Sequence, residues 1–215
     1  MLGDSENPVF MTRMTTREAP DSSHEAILNC LHGAVQELKA EHGINLLLAS
    51  DEDSESLSFA EWVGPHSQLT IGLYDDFMAA VRYVKVQSQR PDVGAVAAEV
   101  VARHSAVIGR AEAIREARQS GLDPVALMRV AFSTGAAFDA EVFELISDAL
   151  AEAAPAVRSM ASYAAAHLKW LPLLPRLTQA LNAEANFEVS ALVSTAIEVI
   201  ESSREDRATD GSSLD

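Results

Sequence analysis

The chain has 215 residues and 48% of them are hydrophobic, so it is long enough to bury a substantial core. Its 32 acidic and 16 basic side chains give a formal net charge of −16. A charge of that sign repels nucleic-acid phosphates and anionic lipid surfaces, and it favours a basic protein as partner. Glycine and proline are sparse, with 10 and 8 residues, which favours helix.

Neither a disulfide nor a membrane helix is expected. Cys30 is the only cysteine, so an internal disulfide is excluded, and no apolar run approaches the roughly 20 residues that a membrane helix needs. The first 23 residues are polar with mixed charges and contain no apolar signal-peptide core. These features indicate a cytoplasmic protein that does not bind membranes.

The N-terminal sequence indicates a disordered leader followed by one helix. Residues 1–21 are polar and contain two prolines, so we expect a disordered leader. Ser22 and Glu25 have the spacing of a capping box, which predicts that a helix begins there. Gly43 is placed to end this helix in the left-handed conformation. Five apolar residues share one face of the helix: Ile27, Leu31, Ala34, Val35 and Leu38.

Residues 44–70 are compatible with two structures. Ile44–Leu48 and Leu57–Val63 could be the strands of a hairpin across an acidic loop, or two helical pieces. We expect helix, because an isolated hairpin is only marginally stable and the rest of the chain offers no sheet to pair with it. A further helix is predicted to end near Gln89, so 22–90 becomes an irregular, mostly helical part. The residues that mark this further helix are Leu73, Phe77, Val81 and Val84.

One pattern recurs four times between residues 91 and 203. Each copy has three residues at offsets 0, 3 and 7, which places them on one face of a helix. The leading valines lie 32 residues apart, and a fixed period of this length is typical of stacked helical repeats. We therefore predict an all-α protein with a right-handed α-solenoid of stacked helix pairs over 91–203, followed by a disordered acidic tail over 204–215. The four copies are Val93, Val96, Val100; Val125, Met128, Phe132; Val157, Met160, Ala164; and Val189, Leu192, Ala196.

The third copy resembles the short HEAT-like repeat of the phycobilisome-lyase type. Its first helix begins Val157-Arg158-Ser159-Met160-Ala161. Its second contains Leu171-Pro172-Leu173-Leu174-Pro175-Arg176-Leu177, followed by Ala180-Leu181 and Glu184 before Val189. The second copy lacks the arginine and the internal proline. The resemblance covers about half of the chain, and it implies a stacked-helix binding scaffold without implying an activity.

A candidate partner-binding surface lies on the predicted helix over residues 139–153. The side opposite its apolar stripe carries four acidic residues, three of them at i, i+4 and i+8. Like charges at this spacing destabilise a helix by roughly 0.2–0.5 kcal/mol per pair, so a basic segment of a partner would relieve them. We name these four residues the acidic ridge: Glu141, Glu144, Asp148 and Glu152. Arginines of neighbouring helices could instead neutralise the ridge, namely Arg110, Arg115, Arg118 and Arg176.

No metal, cofactor or catalytic site is predicted. Asp51, Asp53 and Glu55 imitate the start of a calcium-binding loop, but Ser56 and Trp62 stand where such a loop needs glycine and glutamate. The six histidines show no pair at metal-ligand spacing. The sequence also lacks the phosphate-loop, nucleophile-elbow and dinucleotide-binding motifs.

We therefore expect a non-catalytic protein–protein interaction module that presents an acidic helical-repeat surface to a basic protein or peptide. Such a module could be an adaptor or a small cytoplasmic inhibitor of the immunity type. One alternative is a helical-repeat enzyme similar to DNA-repair enzymes, although Lys169 is the only lysine after Lys85. Another alternative is a structural or regulatory subunit of a homo-oligomer.

Overall fold

The computed structural model describes residues 10–16, 24–53, 57–76, 80–134 and 137–210. The chain divides into two compact units, Met1–Arg110 and Ala111–Asp215. Within the described ranges, no helix combines the length and the hydropathy that crossing a membrane requires.

The first unit contains a six-stranded antiparallel sheet in its described residues, and two helices cover one face of that sheet. The strand order is β2-β3-β4-β5-β1-β6. Helices α1 and α2 pack against each other, and α2 also contacts β1 and β5. The elements are β1 Phe10–Thr16, α1 His24–His42, β2 Leu47–Asp53, β3 Leu57–Val63, β4 Leu69–Asp76, β5 Val81–Ser88, α2 Pro91–His104 and β6 Val107–Ile108.

This sheet shows that the all-α, α-solenoid prediction is wrong. The segment predicted as a helix ending near Gln89 forms β4 and β5 instead. Its inward residues alternate along each strand, which is the period of a half-buried strand and not of a helix. The hairpin alternative for residues 44–63 is the correct one, because β2 pairs with β3 in antiparallel register. The inward, fully buried residues of β4 and β5 are Leu69, Ile71, Leu73, Val84 and Val86.

The sheet depends on a strand inside the segment predicted as a disordered leader. Phe10–Thr16 forms β1 and pairs with β5, with Met14 opposite Val84. This long-range pairing supplies the sheet that the isolated hairpin lacked, so the premise for expecting helix over residues 44–70 fails. Residues 1–9 and 17–21 of the leader, like Ser22 of the capping box, lie outside the described residues.

Helix α1 matches its prediction. All five residues of the predicted apolar face are buried against the sheet core. Gly43 follows the helix with φ +67°, a left-handed conformation that glycine adopts without a Cβ penalty. Trp62 of β3 is 1% exposed in the same core and meets the ring of His32 edge to face at 5.3 Å between centroids. The α1–sheet interface is therefore the main core of the first unit.

The second unit is helical throughout its described residues. Helix α6 packs against both α4 and α8, while α5 packs against α6 and α7 packs against α8. Helices α4, α6 and α8 thus lie beside one another in that order, and α5 also contacts α7. The helices are α3 Arg110–Gln119, α4 Pro124–Ser133, α5 Ala140–Leu150, α6 Pro155–Leu168, α7 Leu174–Ala183 and α8 Phe187–Asp210, with a short 3₁₀ turn at Leu171–Leu173.

The 32-residue pattern locates four helices, but they do not share one environment. The copies that begin at Val125, Val157 and Val189 form the neighbouring helices α4, α6 and α8. The copy that begins at Val93 forms α2, and Val93 packs against the core of the sheet. The first unit extends to Arg110, so α2 belongs to it and the other three copies belong to the second unit. Helix α8 also continues to Asp210, into the predicted tail.

Candidate functional site

Three residues of the acidic ridge, Glu141, Glu144 and Asp148, lie on α5, and Glu152 lies just beyond its end. The carboxylate of Asp139 accepts hydrogen bonds from the backbone N–H groups of Glu141 and Val142, at 3.0 and 3.2 Å. This N-cap fixes the phase of the helix. The predicted apolar stripe is buried as expected, with Val142, Leu145, Ile146, Ala149 and Leu150 inward. The three ridge residues on α5 are consequently exposed on the opposite side, and Glu152 is exposed as well.

Only the first ridge residue forms an ion pair among the described residues. Arg118 Nη1 lies 2.8 Å from Glu141 Oε1. Of the other arginines proposed as neutralising groups, Arg115 pairs with Glu112 on its own helix at 3.4 Å, and Arg110 belongs to the first unit. Arg176 has no ion pair within the part of the chain that the structure describes. Three carboxylates therefore face solvent without a described counter-charge: Glu144, Asp148 and Glu152.

A groove of about 540 Å³ lies between α5 and α7, and two of the four ridge residues line it. Asp148 and Glu152 line the α5 side, and Arg176 and Gln179 line the α7 side. Small side chains, Ala180 among them, lie between these charged edges. We use "the groove" for this space. Its size is that of a typical ligand pocket, which spans roughly 300–1,000 Å³.

One end of the groove is closed by an ion pair that is not available to a ligand. Arg158 Nε and Nη2 contact the two carboxylate oxygens of Glu184 at 2.6 and 2.9 Å. Arg158 Nη1 also donates to the carbonyl oxygens of Glu152 and Ala153, at 2.8 and 2.7 Å, beyond the end of α5. The side chain of Glu184 is 4% exposed. These contacts join the end of α5 to the turn between α7 and α8, so Arg158 and Glu184 are structural groups.

The electrostatics of this pair follow from its contacts. The hydrogen bonds from Arg158 lower the pKa of Glu184 to about 2, and the backbone N–H of Asn186 contributes in the same direction. The same hydrogen bonds raise the pKa of Arg158. Both groups are thus charged at neutral pH and neutralise each other. Asn186 in turn caps α8, because its side-chain oxygen accepts from the N–H groups of Glu188 and Val189.

The residues that line the groove include none of the other sequence candidates. Asp51 and Asp53 lie within strand β2, and Trp62 is part of the sheet core. Trp170 is 4% exposed and its ring centroid lies 5.3 Å from that of Phe138. Both tryptophans are therefore buried.

The sequence interpretation missed one cluster in the first unit. Possible metal-ligand atoms of Glu37, Glu41 and His42 lie within 4.8 Å of one another. However, Glu37 already contacts Arg103 and lies 2.6 Å from His104 Nε2. Hydrogen bonding to His104, and then to Arg103, lowers the pKa of Glu37. These contacts join α1 to α2, so the cluster is an interhelical ion-pair network. Because the cluster contains only one histidine, the spacing of histidines in the sequence does not reveal it.

Comparisons with known proteins identify no relative. No protein-family model, no curated protein and no solved structure matches the chain. The resemblance to HEAT-like repeats therefore remains a prediction from Arg158, Glu184 and the motif around them. The groove and the acidic residues beside it are the features that indicate a function.

Proposed function

We propose that the protein is a non-catalytic binding module whose acidic ridge and groove take up a basic segment of a partner protein. The observation that carries this proposal is the set Glu144, Asp148 and Glu152, which is exposed and has no ion pair among the described residues, and of which Asp148 and Glu152 line the groove. An adaptor, or a small inhibitor that shields a basic target, would use the surface in the same way. A cytoplasmic location is part of the proposal, since a reducing compartment suits the unpaired thiol of Cys30.

Two local effects make this surface attractive to cations. The carboxylates of Glu144 and Asp148 repel each other, because residues four apart are neighbours on a helix surface. In addition, Asp148 lies in the last turn of α5 and Glu152 just beyond it, where the helix dipole is negative and disfavours acids. A bound lysine or arginine side chain relieves both effects at once. The free protein is therefore less stable than it could be, and binding recovers that stability.

The test uses a fluorescein-labelled decapeptide in which lysine alternates with glutamine, followed by fluorescence anisotropy. Each exposed ion pair contributes roughly 0.5 kcal/mol, so removing two weakens binding by about 1 kcal/mol, or about fivefold. The double variant Asp148→Asn/Glu152→Gln should show this loss. Raising the salt concentration should weaken binding to the unmodified chain, since the attraction is electrostatic.

The matched control removes two acids elsewhere in the same unit. Glu198 and Glu201 are exposed on α8 and form no ion pair among the described residues, so Glu198→Gln/Glu201→Gln changes the net charge equally. This control should keep near-original affinity. Equal losses in both double variants would mean that the peptide responds only to net charge, and the proposal would then be wrong.

A further inference from the structure

We propose that the groove binds an extended partner segment in which basic residues alternate with acidic residues, the basic side chains contacting the ridge and the acidic ones contacting Arg176. This inference rests on the proposed function and specifies its partner. It follows from the charges that line the groove and from the spacing of the ridge.

The groove carries opposite charges on its two sides. Five charged residues line it, but Arg158 and Glu184 neutralise each other. Two carboxylates, those of Asp148 and Glu152, remain on the α5 side. The guanidinium of Arg176 remains on the α7 side, exposed and without an ion pair in the described part of the chain. A uniformly basic segment would satisfy α5 but would place a cation beside Arg176.

The ridge spacing matches an extended chain. Glu144 and Asp148 lie four residues apart on α5, which is about 6 Å along the helix given a rise of 1.5 Å per residue. Alternate side chains on one face of an extended strand are about 6.6 Å apart. Two alternate residues of such a segment can therefore face Glu144 and Asp148, and the segment continues past the end of α5 towards Glu152. The residues between them point the opposite way, towards Arg176 and Gln179.

The base of the groove suits a segment that brings its own hydrogen-bonding groups. Ala180 and Ala183 leave room for a backbone to approach. The hydroxyl oxygen of Ser147 lines the groove, is shielded from solvent and makes no hydrogen bond within the described residues. Extended backbone exposes N–H and C=O groups along its edges, so it offers a partner for this hydroxyl.

The experiment compares three labelled decapeptides against the full chain. The first alternates lysine and glutamate; the second has the same composition in two blocks of five; the third is the lysine–glutamine peptide used above. Because the first two have equal charge, only the pattern separates them. We expect the alternating lysine–glutamate peptide to bind at least fivefold more tightly than the block peptide. Arg176→Gln should remove this advantage and leave the affinity for the lysine–glutamine peptide unchanged or higher.

The control for Arg176→Gln is Arg204→Gln, which removes an exposed arginine on α8 and changes the net charge equally. It should alter none of the three affinities. Equal binding of the alternating and block peptides overturns the inference, as does an Arg176→Gln variant that binds all peptides like the original chain. If none of the three peptides binds, the proposed function itself is overturned. Circular dichroism of each variant verifies that the fold is retained.

Discussion

The buried ion pair between Asp75 and Arg82 provides the sharpest stability test of the first unit. The two residues lie directly opposite each other on β4 and β5, on the face that α1 and α2 cover. Their side chains are 1% and 0% exposed, and the guanidinium contacts both carboxylate oxygens, with Nη2 3.0 Å from Oδ2. Removing one partner breaks a buried ion pair, which costs about 3–5 kcal/mol.

Arg82→Met is therefore expected to lower the free energy of unfolding by about 4 kcal/mol, a large share of the 5–15 kcal/mol typical of a domain. Asp75→Leu combined with Arg82→Met should recover most of this loss, because apolar groups of similar volume need no counter-charge. Urea unfolding of the full chain measures the change. In a Trp170→Phe background, Trp62 is the sole tryptophan, so its fluorescence reports on the first unit.

The control is an exposed ion pair of the same type in the same unit. Arg90 lies 2.5 Å from Asp92, and the two side chains are 62% and 67% exposed. Arg90→Met should change the urea midpoint little, because solvent screens the pair. The reasoning is refuted if Arg82→Met destabilises the first unit no more than Arg90→Met does, or if the double variant is as unstable as the single one.

Two further predictions concern close packing and pH. Gly72→Ala should cost about 1–3 kcal/mol in thermal or urea unfolding, because the new Cβ would lie 2.5–2.8 Å from the ring and hydroxyl of Tyr74. Gly109→Ala, whose Cβ meets nothing within 4 Å, should be nearly neutral. Glu184 has a folded-state pKa of about 2 against an ordinary 4.5, so its pairing with Arg158 stabilises the protein above pH 4.5, and this contribution is lost as the pH falls towards 2. Glu184→Gln should therefore be less stable than the original chain at pH 6, and a gap that persists unchanged at pH 2 would contradict this assignment.

The fold was predictable where local spacing decides the structure. The α1 face and the left-handed Gly43 depend on residues within one helix, and both were identified correctly. The sheet was not predictable in the same way, because β1 pairs with β5 about 70 positions further along the chain. Leu73, Phe77 and Val81 stand at offsets 0, 4 and 8, which fit one face of a helix as well as one face of a strand. The spacing alone therefore did not separate helix from strand.

For the candidate site too, the features set by local spacing were predictable and those set by tertiary packing were not. Helical periodicity placed Glu141, Glu144 and Asp148 on the exposed side of α5, as the structure shows, whereas Glu152 is exposed just beyond the end of the helix. The groove depends on how α7 packs beside α5, and helix packing is not contained in the period of either helix. Which arginine neutralises which acid also depends on packing: Arg118 reaches Glu141, whereas Arg176 reaches no ridge residue among those described.

The distribution of ion pairs in the second unit supports a role for the ridge beyond solubility. Four of its arginines form ion pairs with acids outside Glu144, Asp148 and Glu152: Arg115 with Glu112, Arg118 with Glu141, Arg129 with Glu116, and Arg158 with Glu184. The chain therefore neutralises acids at several helix–helix contacts, yet Asp148 and Glu152 have no described counter-charge even though Arg176 lines the same groove. An acidic surface that served only solubility would gain nothing from lying along a groove with a cation on the opposite side. A partner with alternating charges would neutralise both sides together, and for this reason Arg176→Gln tests the proposal more severely than removal of a carboxylate.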